Sequence, residues 1–387
     1  MRRSEDRILT THVGSLARPP ELLPPPIDRG TDPGAVWRDR HHDAETLQKA
    51  IDSIVKQQLD VGIDIVNDGE FGRAHFANYI MNRISGFEFR PNDLVPVEWL
   101  GHERERFADY LKDEFPMAIT GAPVHACIGP IEYGDHGPIR RDLGNLKSAM
   151  ERAGAKEGFF TAVAPASTAF DGRNEYYPSE RDYVFAIADA LKQEYQEIHK
   201  AGLLVQVDDP VLANMYDALV SKSPEQYRKW AALRVEALNH ALEGIPPEDV
   251  RYHICFGSWH IAHTSDAPLE EIVDFVLNVN AGAYLIESGN VRHEHEWRVW
   301  EKVKLPQDKI LVPGVITHHT VTCEHPQLVA DRIIQFANIV GRENVIAGTD
   351  CGFAQLDFVQ RVHPSIMWAK FEALVEGARL ASKVLWS

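Results

Sequence analysis

Short runs of β-branched and apolar residues recur along the chain, separated by longer stretches whose apolar positions return every three or four residues. The runs at 7–15 (RILTTHVGS), 63–70 (IDIVNDGE), 117–125 (MAITGAPVH), 159–167 (FFTAVAPAS) and 203–208 (LLVQVD) read as strands. So do those at 252–255 (YHIC), 283–287 (AYLIE), 310–315 (ILVPGV) and 345–350 (VIAGTD). Helical periodicity covers 180–201, 224–243, 269–279 and 327–340. Strands alternating with helices indicate an α/β protein built on parallel strands. Several of the strands are apolar throughout, as strands covered on both faces must be.

These nine candidates exceed by one the eight strands of a closed barrel. The 117–125 run is the extra one, because it lies in a long irregular stretch that also carries the acidic, aromatic segment 102–115 (HERERFADYLKDEF). The expectation is therefore a (β/α)₈ TIM barrel, with an inserted helical or hairpin segment between the second and third barrel strands and residues 1–387 forming one unit. An open doubly wound sheet is the alternative, but no G-x-G-x-x-G loop follows the first strand. The Pro-rich stretch 19–34 (PPELLPPPIDRGTDPG) reads as a surface excursion.

Composition narrows the partners. With 57 acidic against 40 basic residues the formal net charge is −17, which opposes non-specific nucleic-acid binding. No stretch approaches the roughly 20 apolar residues of a membrane span, and no apolar run follows the basic N-terminus as a secretory signal requires. The four cysteines (Cys127, Cys255, Cys323 and Cys351) are too sparse in 387 residues for a disulfide scaffold. A reducing cytoplasm, with thiols free to bind metal, is the expectation.

The strand ends carry the chemistry. They read Gly14-Ser15, Asp68-Gly69-Glu70, Asp208-Asp209, His253-Ile254-Cys255, Glu287-Ser288, His318-His319 and Asp350-Cys351-Gly352. In a (β/α)₈ barrel these ends converge on one face, where active sites lie. An Asp or Ser after a strand is ordinarily a helix cap, but capping does not call for Cys and His. His253 and Cys255 are two apart on a strand and so share a face. With Glu287 and Cys351 from two other strand ends they make a donor set that suits zinc over magnesium or calcium. Cys127 and Cys323 read as small buried hydrophobes. The histidines of RHEHEW (292–297) read as a solvated or hydrogen-bonded helix start, His293 and His295 projecting to different sides. Arg18 and Arg73, just beyond the first two strands, are candidates to clamp an anionic group of the substrate.

Taken in order, these motifs resemble the catalytic barrel of cobalamin-independent methionine synthase, from TTHVGS (10–15) to GTDCGF (348–353). The resemblance implies that His253, Cys255, Glu287 and Cys351 bind a zinc ion that takes up the homocysteine thiol. It also implies that Val13, Gly14, Ser15, Glu70 and Asp208 hold the amino-acid acceptor, and that His319 moves protons. Two departures stand out. Only one of the family's two barrels is present, and no Trp lies near Ala166, where the folate-stacking tryptophan falls. The stretches NEYYP (174–178), NVRHEHEWRVWE (290–301) and EHPQLVADRI (324–333) resemble single-barrel relatives, which include transferases that open epoxides with coenzyme M. The implied activity is zinc-dependent methylation of a small-molecule thiol by a methyl donor, with epoxide opening by the thiol as the alternative. In either, zinc holds the substrate as thiolate, its sulfur displaces a leaving atom at carbon, and His319 supplies the proton. Among other classes, a zinc-free decarboxylase on the related uroporphyrinogen decarboxylase barrel would not need Cys255 or Cys351. A zinc hydrolase would use more His and Asp ligands.

Overall fold

The computed structural model describes residues 1–24, 42–357 and 361–387; of the Pro-rich excursion expected at 19–34, positions 25–34 lie outside them. In chain order the strands are β1 (Leu9–Thr10), β2 (Ile65–Val66), β3 (Phe87–Val95), β4 (Ala122–Cys127), β5 (Glu157–Val163) and β6 (Gly172–Asn174). They continue with β7 (Leu204–Asp209), β8 (Val250–Ile254), β9 (Ala283–Ile286), β10 (Ile310–Ile316) and β11 (Ile346–Thr349). Eight of them form one parallel sheet in the order β1-β11-β10-β9-β8-β7-β5-β2. The seam between its outer members is bridged by Asp64 N donating to Thr10 O at 3.1 Å and by Thr11 Oγ1 donating to Ile65 O at 3.1 Å. The result is the nearly closed eight-stranded barrel that the alternation of elements predicts.

Side chains alternate across this wall, as the two-residue period of a strand requires. Leu9, Ile65, Phe159, Leu204, Leu285, Val312 and Ile346 point inward and form one buried cluster. Met1 packs against this cluster, which also takes in Cys255 and Cys351. Outward-facing neighbours such as Phe160, Val205, Val250 and Leu311 pack in a larger cluster with the surrounding helices. Those helices begin where local chemistry dictates: Ser179 accepts the Asp182 N–H ahead of Glu180–Lys200, and Ser223 caps Pro224–Ala241, with Pro224 in the first turn.

The extra run resolves as expected, though not as one strand. Met117–Thr120 is a helical turn, and β4 begins only at Ala122. β4 pairs antiparallel with β3 and parallel with β6, so a small three-stranded sheet stands outside the barrel. β6 follows the third barrel strand (β5) and ties the insertion to the barrel mouth. The 102–115 segment forms the helices Glu103–Arg106 and Ala108–Glu114. Among the described residues no helix is long and apolar enough to cross a membrane, and the four cysteines are free thiols.

Histidines buried in the neutral form make this fold sensitive to acid, and His12 is one of them. His12 is fully buried against Phe159 and Phe371, with Nε2 at 2.8 Å from Gln58 Oε1. Burial, with nearby Arg251 adding to it, lowers its pKa to about 3. A group depressed on folding stabilises above its unfolded pKa, near 6.5, and that stability is lost as pH falls towards 3. His12 alone is expected to cost about 2 kcal/mol between pH 7.5 and pH 5. Urea unfolding at the two pH values should show the gap narrowing by about that amount in His12→Phe. An unchanged gap would mean that His12 does not govern it.

Candidate active site

The ends of β8 and β11 bring two thiols together. Cys255 Sγ and Cys351 Sγ lie 3.6 Å apart, both buried. Neighbouring His253 is buried, with Nδ1 at 3.0 Å from Asp208 Oδ1; among the described residues its Nε2 makes no hydrogen bond of standard geometry, though it lies near Cys351. That contact follows from register, since Asp208 on β7 is paired with His253 on β8. Burial opposes protonation of His253, but Asp208 and the charge of Cys351 outweigh it and hold the imidazole at about 10. The adjoining Cys255 thiol pulls Cys351 well below the ordinary thiol range, with His253 assisting against burial. Cys255 is pushed well above that range, first by Cys351 and then by burial.

Behind the thiols lies a buried acidic cluster. Glu287 accepts the Phe256 N–H at 3.2 Å on one oxygen and Asn290 Nδ2 at 2.8 Å on the other. Asn290 also donates to Asp350 at 3.1 Å, and Asp350 accepts the Ser288 and Gly289 N–H groups at 2.9 and 2.7 Å. Burial and the proximity of Asp350 push Glu287 up to about 8.

Does this set fit a metal? Among the described residues no group of three or more His, Cys, Asp or Glu side chains is arranged as it stands to hold a metal ion. The donors nonetheless suit zinc. Two sulfurs bound tetrahedrally at roughly 2.3 Å stand about 3.8 Å apart, close to the 3.6 Å observed. A ligating histidine characteristically turns its other nitrogen to a carboxylate, as His253 does to Asp208. Two thiols, Glu287 and Asp350 buried side by side also concentrate acidic groups that a cation would stabilise.

A cavity of about 520 Å³ opens over this centre, with Val13, Ser15, Glu70, Asp208, His253, Cys255 and Cys351 in its wall. Glu70 has a positive φ of 63° and accepts Thr161 Oγ1 at 2.8 Å. Burial, offset in part by Arg73 and reinforced by Asp208, raises it to about 7. Two glycines in the motifs are required by close approach. A Cβ on Gly14, whose φ is 148°, would stand 2.8 Å from Glu70 Oε1, and one on Gly352 would stand 2.1 Å from Ser15 Oγ.

Other expected residues sit differently. Arg18 donates to the carbonyls of Ala354, Glu70 and Arg73, and Arg73 donates to Thr161 O and Thr161 Oγ1. Both arginines brace the loops at the barrel mouth, directing these donors at the chain rather than into the cavity. His319 packs tilted against His318 and edge-on to His263, at 4.0 and 5.2 Å between ring centres, outside the cavity wall. Burial and His263 lower it to about 3. Cys127 is buried as expected, but Cys323 is exposed, because it lies in the loop before the helix Pro326–Val340. In RHEHEW, His293 is buried between Glu296 (2.8 Å) and Asp266 (3.1 Å) while His295 is exposed, so the two do project apart.

Sequence reasoning missed the cavity's outer wall. Trp259, four residues after Cys255, stacks on Phe115 at 4.5 Å and on Trp99 at 5.3 Å. Arg361 joins them, its guanidinium carbon 5.6 Å from the Trp259 ring centre. The aromatic content of 102–115 and the tryptophan in FGSWH (256–260) were the available signals; neither indicates that they meet.

Comparisons with known proteins bear on the family and the fold. The cobalamin-independent synthase catalytic domain matches residues 171–368. Methionine synthase of Thermococcus kodakarensis is 22% identical over 342 residues, covering 88% of this chain and 84% of that protein. That of Saccharolobus islandicus is 24% identical over 345 residues, covering 88% and 86%. A B12-independent methionine synthase from a Shewanella species, solved in complex with selenomethionine, superposes with a TM-score of 0.74 at 21% identity. That superposition covers 98% of this chain and 99% of the Shewanella chain, so the single-barrel fold is shared from end to end.

Proposed function

This chain belongs to the cobalamin-independent methionine synthase family, and from that premise we propose that it is a zinc-dependent transferase that passes a methyl or alkyl group to a substrate thiol. The observation that carries the reading is the pair of thiols 3.6 Å apart beside the Nε2 of His253, which makes no hydrogen bond of standard geometry among the described residues. His253 Nε2, Cys255, Cys351 and Glu287 are the residues that would hold the ion. When bound, zinc lowers the pKa of the substrate thiol, so that a nucleophilic sulfur exists at neutral pH.

The chain's own residues supply the rest. Asp208 accepts from His253 and from Gln206 Nε2 through the same oxygen, at 3.0 and 2.9 Å, which fixes the imidazole and leaves its second oxygen without a partner among the described residues. That oxygen suits an ammonium group, and Ser15 and the Val13–Gly14 backbone close the pocket beneath it. The selenomethionine held by the Shewanella enzyme supports an amino-acid thiol such as homocysteine as acceptor. In the transfer, a sulfur–carbon bond forms as the bond from that carbon to its leaving atom breaks. The apolar walls exclude water, and proximity replaces a bimolecular encounter. With His319 held neutral, the proton for the leaving atom is assigned to Glu70, whose pKa near neutrality suits exchange with either state.

The purified protein is expected to carry about one zinc per chain, the stoichiometry of a single catalytic site. It should also consume a thiol in a screen pairing homocysteine or coenzyme M with methylfolate, methylcobalamin or a small epoxide. A metal-free protein that consumes no thiol with any pair would sink the reading.

A further inference from the structure

We propose that Arg361 and the aromatic wall beside it form a subsite for an anionic group, a carboxylate, sulfonate or phosphate, carried by a ligand of this cavity. The argument starts from charge. Three arginines line the cavity: Arg173, Arg234 and Arg361. Arg173 is paired with Asp93 and Glu175, and Arg234 with Glu180. Among the described residues Arg361 has no acidic partner; its one side-chain bond runs from Nε to Gln355 Oε1 at 3.0 Å. Among the described residues both Nη nitrogens therefore remain without an acceptor, on a side chain that is largely buried. Burying a cation is costly unless an anion meets it.

The cavity's own carboxylates do not meet it. Glu70 is engaged by Thr161 and Arg73, and Asp208 by His253 and Gln206. Asp171, a lining carboxylate with no ion pair, is not within salt-bridge reach of Arg361. The two thiols lie within reach of the Arg361 charge, but neither accepts a hydrogen bond from it. A cation between those thiols would neutralise them and leave Arg361 still unmatched.

The neighbourhood is built rather than accidental. Gln355, which orients the guanidinium, is itself held by Gly352 O and lies 3.7 Å from Cys351 Sγ. On the cavity side, Trp259, Phe115 and Trp99 form a stacked wall suited to a flat or apolar ligand body. A guanidinium fork beside such a wall binds an anionic head group while the body lies on the rings. The cavity is thereby polarised, with Glu70 and Asp208 at one edge and Arg361 at another. That the anion belongs to the thiol or to its alkylating partner rests on the transferase reading; the charge argument does not.

The test uses two matched probe pairs at constant ionic strength, followed by quenching of tryptophan fluorescence. Mercaptopropionate against mercaptopropanol represents the thiol arm, and naphthoate against naphthamide the arm of the flat partner. The anionic member of at least one pair should bind roughly tenfold to a hundredfold tighter, the range of a charge-assisted hydrogen bond. The preference should collapse in Arg361→Gln while the neutral member's affinity stays unchanged, and Arg361→Lys should retain part of it. A preference in the first pair assigns the anion to the thiol, and in the second to its partner. No preference in either pair, or one that survives in Arg361→Gln, overturns the proposal. Zinc is measured on the same preparations. An anion preference in zinc-free, inactive protein upholds the subsite and refutes the transferase reading, whereas active zinc protein without the preference does the reverse.

Discussion

Cys351→Ser should purify with little or no zinc and lose at least about a hundredfold in thiol transfer, more than the tenfold to hundredfold typical of losing a residue that only supports a ligand. The side chain changes by one atom, so the fold has little reason to change. What changes is chemistry: a thiol is readily held as thiolate beside His253 and Cys255, whereas a serine hydroxyl does not ionise there. Cys351 is the thiol that its surroundings already favour as the anion, so its loss should cost more than a generic ligand's. A small stability penalty, about 1–2 kcal/mol, is expected from a buried hydroxyl in place of sulfur. Zinc per chain by mass spectrometry, together with circular dichroism, separates the two effects. Full zinc in the folded variant would remove Cys351 from the ligand set.

The largest effect on stability is expected at Glu194. It is wholly buried and accepts from Tyr79 at 2.5 Å, Tyr133 at 2.6 Å and Arg83 at 3.2 Å. Arg83 is shared with Asp142 at 2.8 Å. Tyr79, Arg83 and Tyr133 belong to the insertion, and Glu194 to the helix Glu180–Lys200, so one carboxylate anchors the insertion to the barrel. Glu194→Ala leaves two buried hydroxyls and part of a buried charge unmatched, which should cost about 3–5 kcal/mol. Removing the stranded cation as well, in Glu194→Ala with Arg83→Met, should recover part of that loss. Urea unfolding checks both. A cost below about 1 kcal/mol, the value of an exposed pair, would show that the network does not hold the insertion in place.

How much of this was legible in the sequence differs by kind of feature. The barrel was readable because a strand covered on both faces must be apolar throughout and must alternate with helices. Its eight strands fall within eight of the nine predicted runs or overlap them closely. Strand ends were less certain: 7–15 shrinks to Leu9–Thr10, since the following THVGS (11–15) leaves the sheet to bond across the mouth. The pairing of His253 with Cys255 followed from the two-residue period, and their meeting with Cys351 from the convergence of strand ends in a barrel.

Other features were not legible. Arg18 and Arg73 sit where the sequence placed them, yet their donors go to backbone carbonyls and the Thr161 hydroxyl, because buried loops must satisfy their own polar groups before they can serve a substrate. His319 follows its strand as expected but is turned towards His263 and His318. The Trp99–Trp259–Phe115 wall and Arg361 come from four separate places in the chain.

By itself, then, the amino-acid order determined the parallel barrel, the face on which its chemistry collects, and the thiol–imidazole pattern at its centre. Each of these is dictated by a short-range periodicity that repeats strand by strand. Tertiary structure alone decided which charges are paired, which way Glu287 and the arginines point, and which insertion residues close over the cavity. Those depend on contacts between segments hundreds of residues apart, as Arg18 and Ala354 are at a separation of 336, and no local pattern records them.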